Sequence, residues 1–150
     1  MLASVARLRT LGGMSNSVEG SCVCGAVGYE IERPYRGFQY CHCSRCRKKS
    51  GSAFLSNIFV PVDQFRWIRG QDQVKRFELP EAKYWSTAFC TTCGSAVPWL
   101  TRNGKVMVVG AGGLDGDPGE RPSFSVFYGS RPDWYTHVSD LDTHETLPGR

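Results

Sequence analysis

Ser21-Cys22-Val23-Cys24-Gly25 near the start of the chain and Phe89-Cys90-Thr91-Thr92-Cys93-Gly94-Ser95 in its second half have the form of two metal-binding knuckles. Between them stands a third cluster, Cys41-His42-Cys43-Ser44-Arg45-Cys46. These three stretches hold all seven cysteines of the 150 residues. Cysteines at such spacing are the usual ligands of zinc. Four thiolates close a tetrahedral site, whereas three leave one position for water or substrate. A glycine just after the last cysteine of a knuckle lets the backbone turn and aim N–H groups at sulfur.

The odd count speaks against a secreted disulfide framework, which would leave one thiol over. Cys-x-Cys neighbours are also poorly placed to bridge each other. Reduced, metal-bound thiols imply a reducing compartment, which points to the cytoplasm. Spacing alone leaves two partitions open. In one, Cys22, Cys24, Cys90 and Cys93 form the closed site, and Cys41, Cys43 and Cys46 the open one. In the other, Cys43, Cys46, Cys90 and Cys93 form a zinc-ribbon pattern, and Cys22, Cys24 and Cys41 remain. A histidine could also close a three-cysteine site. His42 stands between two ligands, where its ring reaches the same metal with difficulty, and His137 and His144 lie far along the chain.

Working outward, strand-like runs rich in Val, Ile, Phe, Tyr and Trp dominate: Ala26–Glu32, Gly37–Cys41, Ala53–Val60, Phe65–Ile68, Val74–Leu79, Tyr84–Cys90, Ala96–Leu100 and Lys105–Val109. Gly, Pro and Asp separate them at short intervals, which predicts a mainly β domain. Ser44–Lys49 reads as one helical turn with Ser44 as its cap, and Val62–Phe65 as another short turn. The glycines and prolines of Ala111–Pro122 predict a loop. Four tryptophans, Trp67, Trp85, Trp99 and Trp134, read as filling for a small core. His137 and His144 read as exposed.

A single domain over residues 17–142 is expected from the length. Residues 1–16 carry Arg7 and Arg9 and no acid. They read as a disordered tail, with a weak likeness to a mitochondrial presequence as the other reading. Residues 143–150 read as a flexible tail. With 41% apolar and 21% charged residues, a globular protein is expected. No run approaches the ~20 apolar residues of a membrane span. A net charge of +4 suits an anionic ligand. Nucleic acid is disfavoured as a partner, because Asp72, Glu78 and Glu81 are interspersed with the bases.

The segments Gly20–Val27, Cys41–Phe54 and Phe89–Ser95 resemble the glutathione-dependent formaldehyde-activating enzyme family, whose domain the centromere protein V group shares. The resemblance covers residues 18 to 140. It implies twisted antiparallel β-sheets around a structural zinc, in an Mss4-like fold. It also implies two zinc ions per chain: a structural one on Cys22, Cys24, Cys90 and Cys93, and a catalytic one on Cys41, Cys43 and Cys46. Many members carry a histidine-isoleucine pair after a late proline. The corresponding stretch here, Pro122–Phe127, has no histidine.

The implied activity is carbon–sulfur lyase chemistry resembling S-(hydroxymethyl)glutathione synthase, which joins the thiol of glutathione to the small aldehyde formaldehyde. A thiol in the open position of zinc is deprotonated at neutral pH. Three thiolates on Zn²⁺ make a weak Lewis acid, which favours presenting a thiolate over activating water. Arg45, Lys48 and Lys49 flank the cluster and are placed to meet the carboxylates of glutathione. The other reading is a non-enzymatic zinc-stabilised module for nucleic acid or chromatin. The sequence sets no oligomeric state.

Overall fold

The computed structural model describes residues 15–149, in which eleven strands form three sheets. Strands β1 (Ser17–Ser21), β2 (Gly28–Glu32) and β5 (Phe65–Arg69) make the first, with β2 in the middle. The second contains β3 (Gly37–Cys41), β4 (Leu55–Pro61), β9 (Trp99–Leu100), β10 (Val106–Gly110) and β11 (Phe124–Val126), in the order β11-β3-β4-β10-β9. The third is β6 (Val74–Glu78), β7 (Ser86–Cys90) and β8 (Ala96–Val97). A single short helix, α1 (Ser44–Ser50), follows β3. Among the described residues every strand pair is antiparallel except β3 with β11. The mainly β expectation holds.

Side-chain alternation builds the core. Tyr29 and Ile31 of β2 point inward while Glu32 faces out, as the period of two requires. Ile31, Phe38, Ile58, Val60, Met107 and Val109 close around Tyr29. A second group joins Cys22, Val27, Ala88, Cys90, Val97, Trp99 and Val108. One cysteine of each knuckle, Cys22 and Cys90, is thus part of the hydrophobic core, while Cys24 and Cys93 are exposed.

Several elements differ from expectation. β1 has one large apolar residue, Val18, and no strand signal of its own. It forms because all five residues pair with β2, from Ser17 opposite Glu32 to Ser21 opposite Gly28. β11 is equally short of local signal and depends on its pairing with β3. The run 96–100 is split at Pro98, which lacks the N–H a ladder needs. The helix cap is Cys43 rather than Ser44, and no side chain bonds the first turn. Gly51, at φ 65°, ends the helix and donates its N–H to the Arg47 carbonyl at 2.8 Å.

The 111–122 connection is a loop, as expected, though it opens with a single 3-10 turn. It is pinned to the core: Tyr29 Oη donates to the Gly113 carbonyl at 2.9 Å, and Tyr35 Oη to that of Pro118 at 3.1 Å. Trp67 packs edge-on against Tyr29 and Phe65. Trp134 is a correction, since it is 68% exposed and fills no core. Of the expected N-terminal tail, residues 1–14 lie outside the described residues. Asn16 is tied down by two bonds with the backbone of Arg33. Residues 143–149 are exposed and belong to no element.

Gly70 gives a test of the packing beside the first knuckle. It sits at φ 66°, and a Cβ there would run into the backbone carbonyl of Ala26. Gly104, at φ 71°, faces open space. Gly70→Ala is expected to lose more than about 2 kcal/mol in a denaturant titration, and Gly104→Ala only the left-handed backbone cost of about 1 kcal/mol.

Candidate metal centres and the adjoining cleft

The first knuckle turns directly out of β1. Cys22 N–H bonds the Val27 carbonyl at 3.1 Å, and Val27 N–H points at Cys22 Sγ at 3.2 Å. Gly25 takes φ 76°, a conformation open to glycine without cost. The second knuckle repeats the design at the end of β7. Gly94, at φ 75°, donates to the Cys90 carbonyl at 2.8 Å. Ser95 joins the two: its Oγ accepts from Val23 N–H at 3.2 Å and lies 3.2 Å from Cys93 Sγ. The sulfurs of Cys22, Cys24, Cys90 and Cys93 all fall within 4.8 Å of one another.

The third cluster is made at a corner. Cys41 is the last residue of β3, Cys43 caps α1, and Cys46 is buried in its first turn. Their sulfurs also lie within 4.8 Å of one another. The seven sulfurs therefore group as Cys22/Cys24/Cys90/Cys93 and Cys41/Cys43/Cys46, and the alternative grouping does not occur in space. No histidine joins either group among the described residues. His42 turns away and is almost fully buried, with Nδ1 3.1 Å from the Ala53 carbonyl and its ring among Phe54, Tyr128 and Tyr135. Burial holds its pKa below the usual value. His137 Nε2 lies 3.2 Å from Tyr128 Oη. His137 and His144 are both exposed, as expected.

Both donor sets fit a soft divalent cation. Crowded thiols without one must share protons. Ser95 draws Cys93 down to about 5, with help from its own backbone and that of Cys24. The Ala26 N–H pulls on Cys24, but the neighbouring sulfurs of Cys22 and Cys93 push it up to about 11. In the third cluster the Cys46 thiol draws Cys41 down to about 6, while Cys41 and burial push Cys46 far up. A cation among the sulfurs relieves this opposition by stabilising every thiolate at once.

Cys41, Cys43 and Cys46 line a cleft of about 450 Å³ whose other walls include Asn57, Phe59, Trp85, Trp99, Val108 and Phe127. Ser44, Arg45 and Trp85 also border a second cleft of about 700 Å³, lined further by Lys48, Lys49, Phe77 and Glu81. The three predicted basic residues thus come together on one side of α1. Arg47 does not join them, because its Nε donates to the His42 carbonyl at 3.2 Å. Lys49 Nζ lies 5.4 Å from the centre of the Trp99 ring.

Sequence reasoning missed Asn57, Phe59, Val108 and Phe127. Trp85 and Trp99 pack in or against the core, as expected, and in addition line the cysteine cleft. Asn57 Nδ2 points at Cys46 Sγ at 3.9 Å. A polar residue in the middle of the apolar run Leu55–Pro61 was the available signal. Asn57 Oδ1 and Trp85 Nε1 are buried without a hydrogen-bond partner.

A mainly β scaffold carrying one four-cysteine and one three-cysteine cluster, the latter facing a cleft, defines a small domain with two cysteine clusters that could each hold a metal ion. The profile of the family described as glutathione-dependent formaldehyde-activating enzyme matches residues 17–130, and the chain belongs to that family. A curated Halomonas elongata protein that provisionally bears the same name is 29% identical over 127 residues, covering 78% of each chain. The crystal structure of a Rhodobacter sphaeroides protein is similar at a TM-score of 0.55 and 26% identity, covering 71% of this chain and 98% of that one.

Lys49 offers a check on the basic cleft. Burial lowers its pKa from 10.5 to about 8, against a smaller pull upward from Cys46. The native state then binds fewer protons than the unfolded chain between about pH 8 and 10.5, so this group makes stability rise with pH across that window. Denaturant titrations at several pH values are expected to show that rise in the wild type and a flatter profile in Lys49→Met.

Proposed function

We propose that the protein is a zinc-dependent carbon–sulfur lyase of the S-(hydroxymethyl)glutathione synthase type. In this reading it joins a glutathione-like thiol to a small aldehyde, or releases the two. The observation that carries it is the junction of the two clefts. Three converging sulfurs border an apolar cleft, and Arg45, Lys48 and Lys49 border the basic cleft that meets it at Ser44, Arg45 and Trp85. Glutathione has the matching shape, with a central thiol flanked by two carboxylates. Family membership supports the same chemistry.

In this reading zinc on Cys41, Cys43 and Cys46 supplies an open coordination position that favours the ionised form of an incoming thiol. The chain's own residues do the rest. Arg45, Lys48 and Lys49 hold the carboxylates and fix the thiol's approach. Asn57 Nδ2, aimed at Cys46 Sγ, steadies one of the three sulfurs. Phe59, Trp99 and Val108 exclude water, which keeps the carbonyl available to sulfur. Cys22, Cys24, Cys90 and Cys93 hold a second, structural zinc that takes no part in the reaction.

Metal content measured beside folding tests this division. About two zinc ions are expected per wild-type chain, one from each cluster. Cys43→Ser is expected to keep its fold, carry about one zinc and lose adduct formation from glutathione and formaldehyde. Cys93→Ser is expected to unfold or precipitate, since a structural zinc site contributes folding free energy directly. A wild type with a single zinc, or two variants that behave alike, would overturn the assignment.

A further inference from the structure

The cysteine cleft is large for the aldehyde just named. A water-sized molecule takes about 30 Å³, and formaldehyde is little bigger, whereas the cleft holds about 450 Å³. The thiol arm of glutathione, entering from the basic side, fills only part of it. Phe59, Trp85, Trp99, Val108 and Phe127 wall the remainder. A space of this size with apolar walls and a few polar groups is the ordinary form of a site for an organic ligand.

Phe127 adds an independent observation. It is the only non-glycine residue with positive φ among the described residues, at 52°, and it is 65% exposed. A bulky side chain in that conformation costs about 1–3 kcal/mol and persists only where its surroundings impose it. The imposing contacts are in place. Val126 pairs with Cys41, His42 N–H donates to the Val126 carbonyl at 3.1 Å, and Ser130 N–H donates to that of Phe127 at 2.9 Å. The strand that flanks the first cysteine of the cluster thus ends by placing an uncovered aromatic ring on the cleft wall. Trp85 and Trp99 line the same cleft, so Phe127 stands opposite further aromatic surface.

We propose that the electrophile is a carbonyl compound bearing an apolar substituent of aromatic size, seated against Phe127, Trp85 and Trp99. This rests on the thiol-addition reading and deepens it. The thiolate sulfur forms a bond to the carbonyl carbon, the π pair moves to oxygen, and that oxygen takes up the proton released when the thiol ionised. The product is a hemithioacetal, and nothing is oxidised or reduced.

Calorimetry on zinc-loaded protein tests the seat without turnover, using glutathione, S-methylglutathione, S-benzylglutathione and benzyl alcohol. In the wild type S-benzylglutathione is expected to bind about tenfold or more tighter than S-methylglutathione, as burial of a phenyl ring predicts. Phe127→Gly should keep the fold, since glycine adopts φ 52° freely, and should reduce that preference to within about threefold. Equal affinities in the wild type would overturn the proposal and leave the thiol reading standing. A preference that survives Phe127→Gly would overturn the seat assigned here. Binding of benzyl alcohol but of none of the three glutathione compounds would sink the thiol reading and spare the apolar seat. Binding of none of the four overturns both.

Discussion

Four sulfurs meeting between two sheets are the constraint on which the rest of this molecule depends. Cys22 and Cys24 leave β1, whose sheet contains β2 and β5, while Cys90 ends β7 of another sheet and Cys93 follows it. The two knuckles share Ser95, and the sulfurs of Cys22 and Cys90 sit within the same apolar cluster as Val27, Ala88 and Trp99. Strand pairing does not join these sheets to each other. The sulfur cluster and the core around it supply that connection, and so help place Trp85, which precedes β7, whereas Trp99 is held by β9 in the sheet that carries Cys41.

That third cluster is built with very little chain. β3 ends on one cysteine, and the short helix that follows supplies the other two and the basic residues. One face of the corner therefore turns sulfur toward an apolar space, and another turns positive charge toward a neighbouring cleft. His42, held inside the same corner by Ala53 and three aromatic rings, anchors the turn instead of adding a ligand. Its burial removes one obvious way of closing the three-cysteine set.

Much of this was legible in the sequence for local reasons. Knuckle glycines report the backbone they require, and β-branched and aromatic runs report the strands that bury them. Gly37–Cys41 could be placed to the residue on that basis. Spacing could not choose between two groupings of the sulfurs, because it carries no information about which strands pair. β1 and β11 were invisible for the same reason, as each takes its conformation from a partner strand distant in the chain. The positive φ of Phe127 lies beyond sequence reading, since nothing in a phenylalanine announces a left-handed backbone. Trp85 and Trp99 serve the core, as their bulk suggests, and also line the cleft, a second role that bulk and apolarity do not distinguish.

The parallel strand β11 has a consequence for how such a domain diversifies. It lies at the edge of its sheet, joined only to β3, and it contributes no sulfur to either cluster. A change at Phe127, just past the end of this strand, can therefore reshape the cleft wall while the three-cysteine corner stays intact. On the function proposed above, cysteine clusters and cleft wall are inherited as separable traits, and a lineage varies its ligand at the end of this one strand.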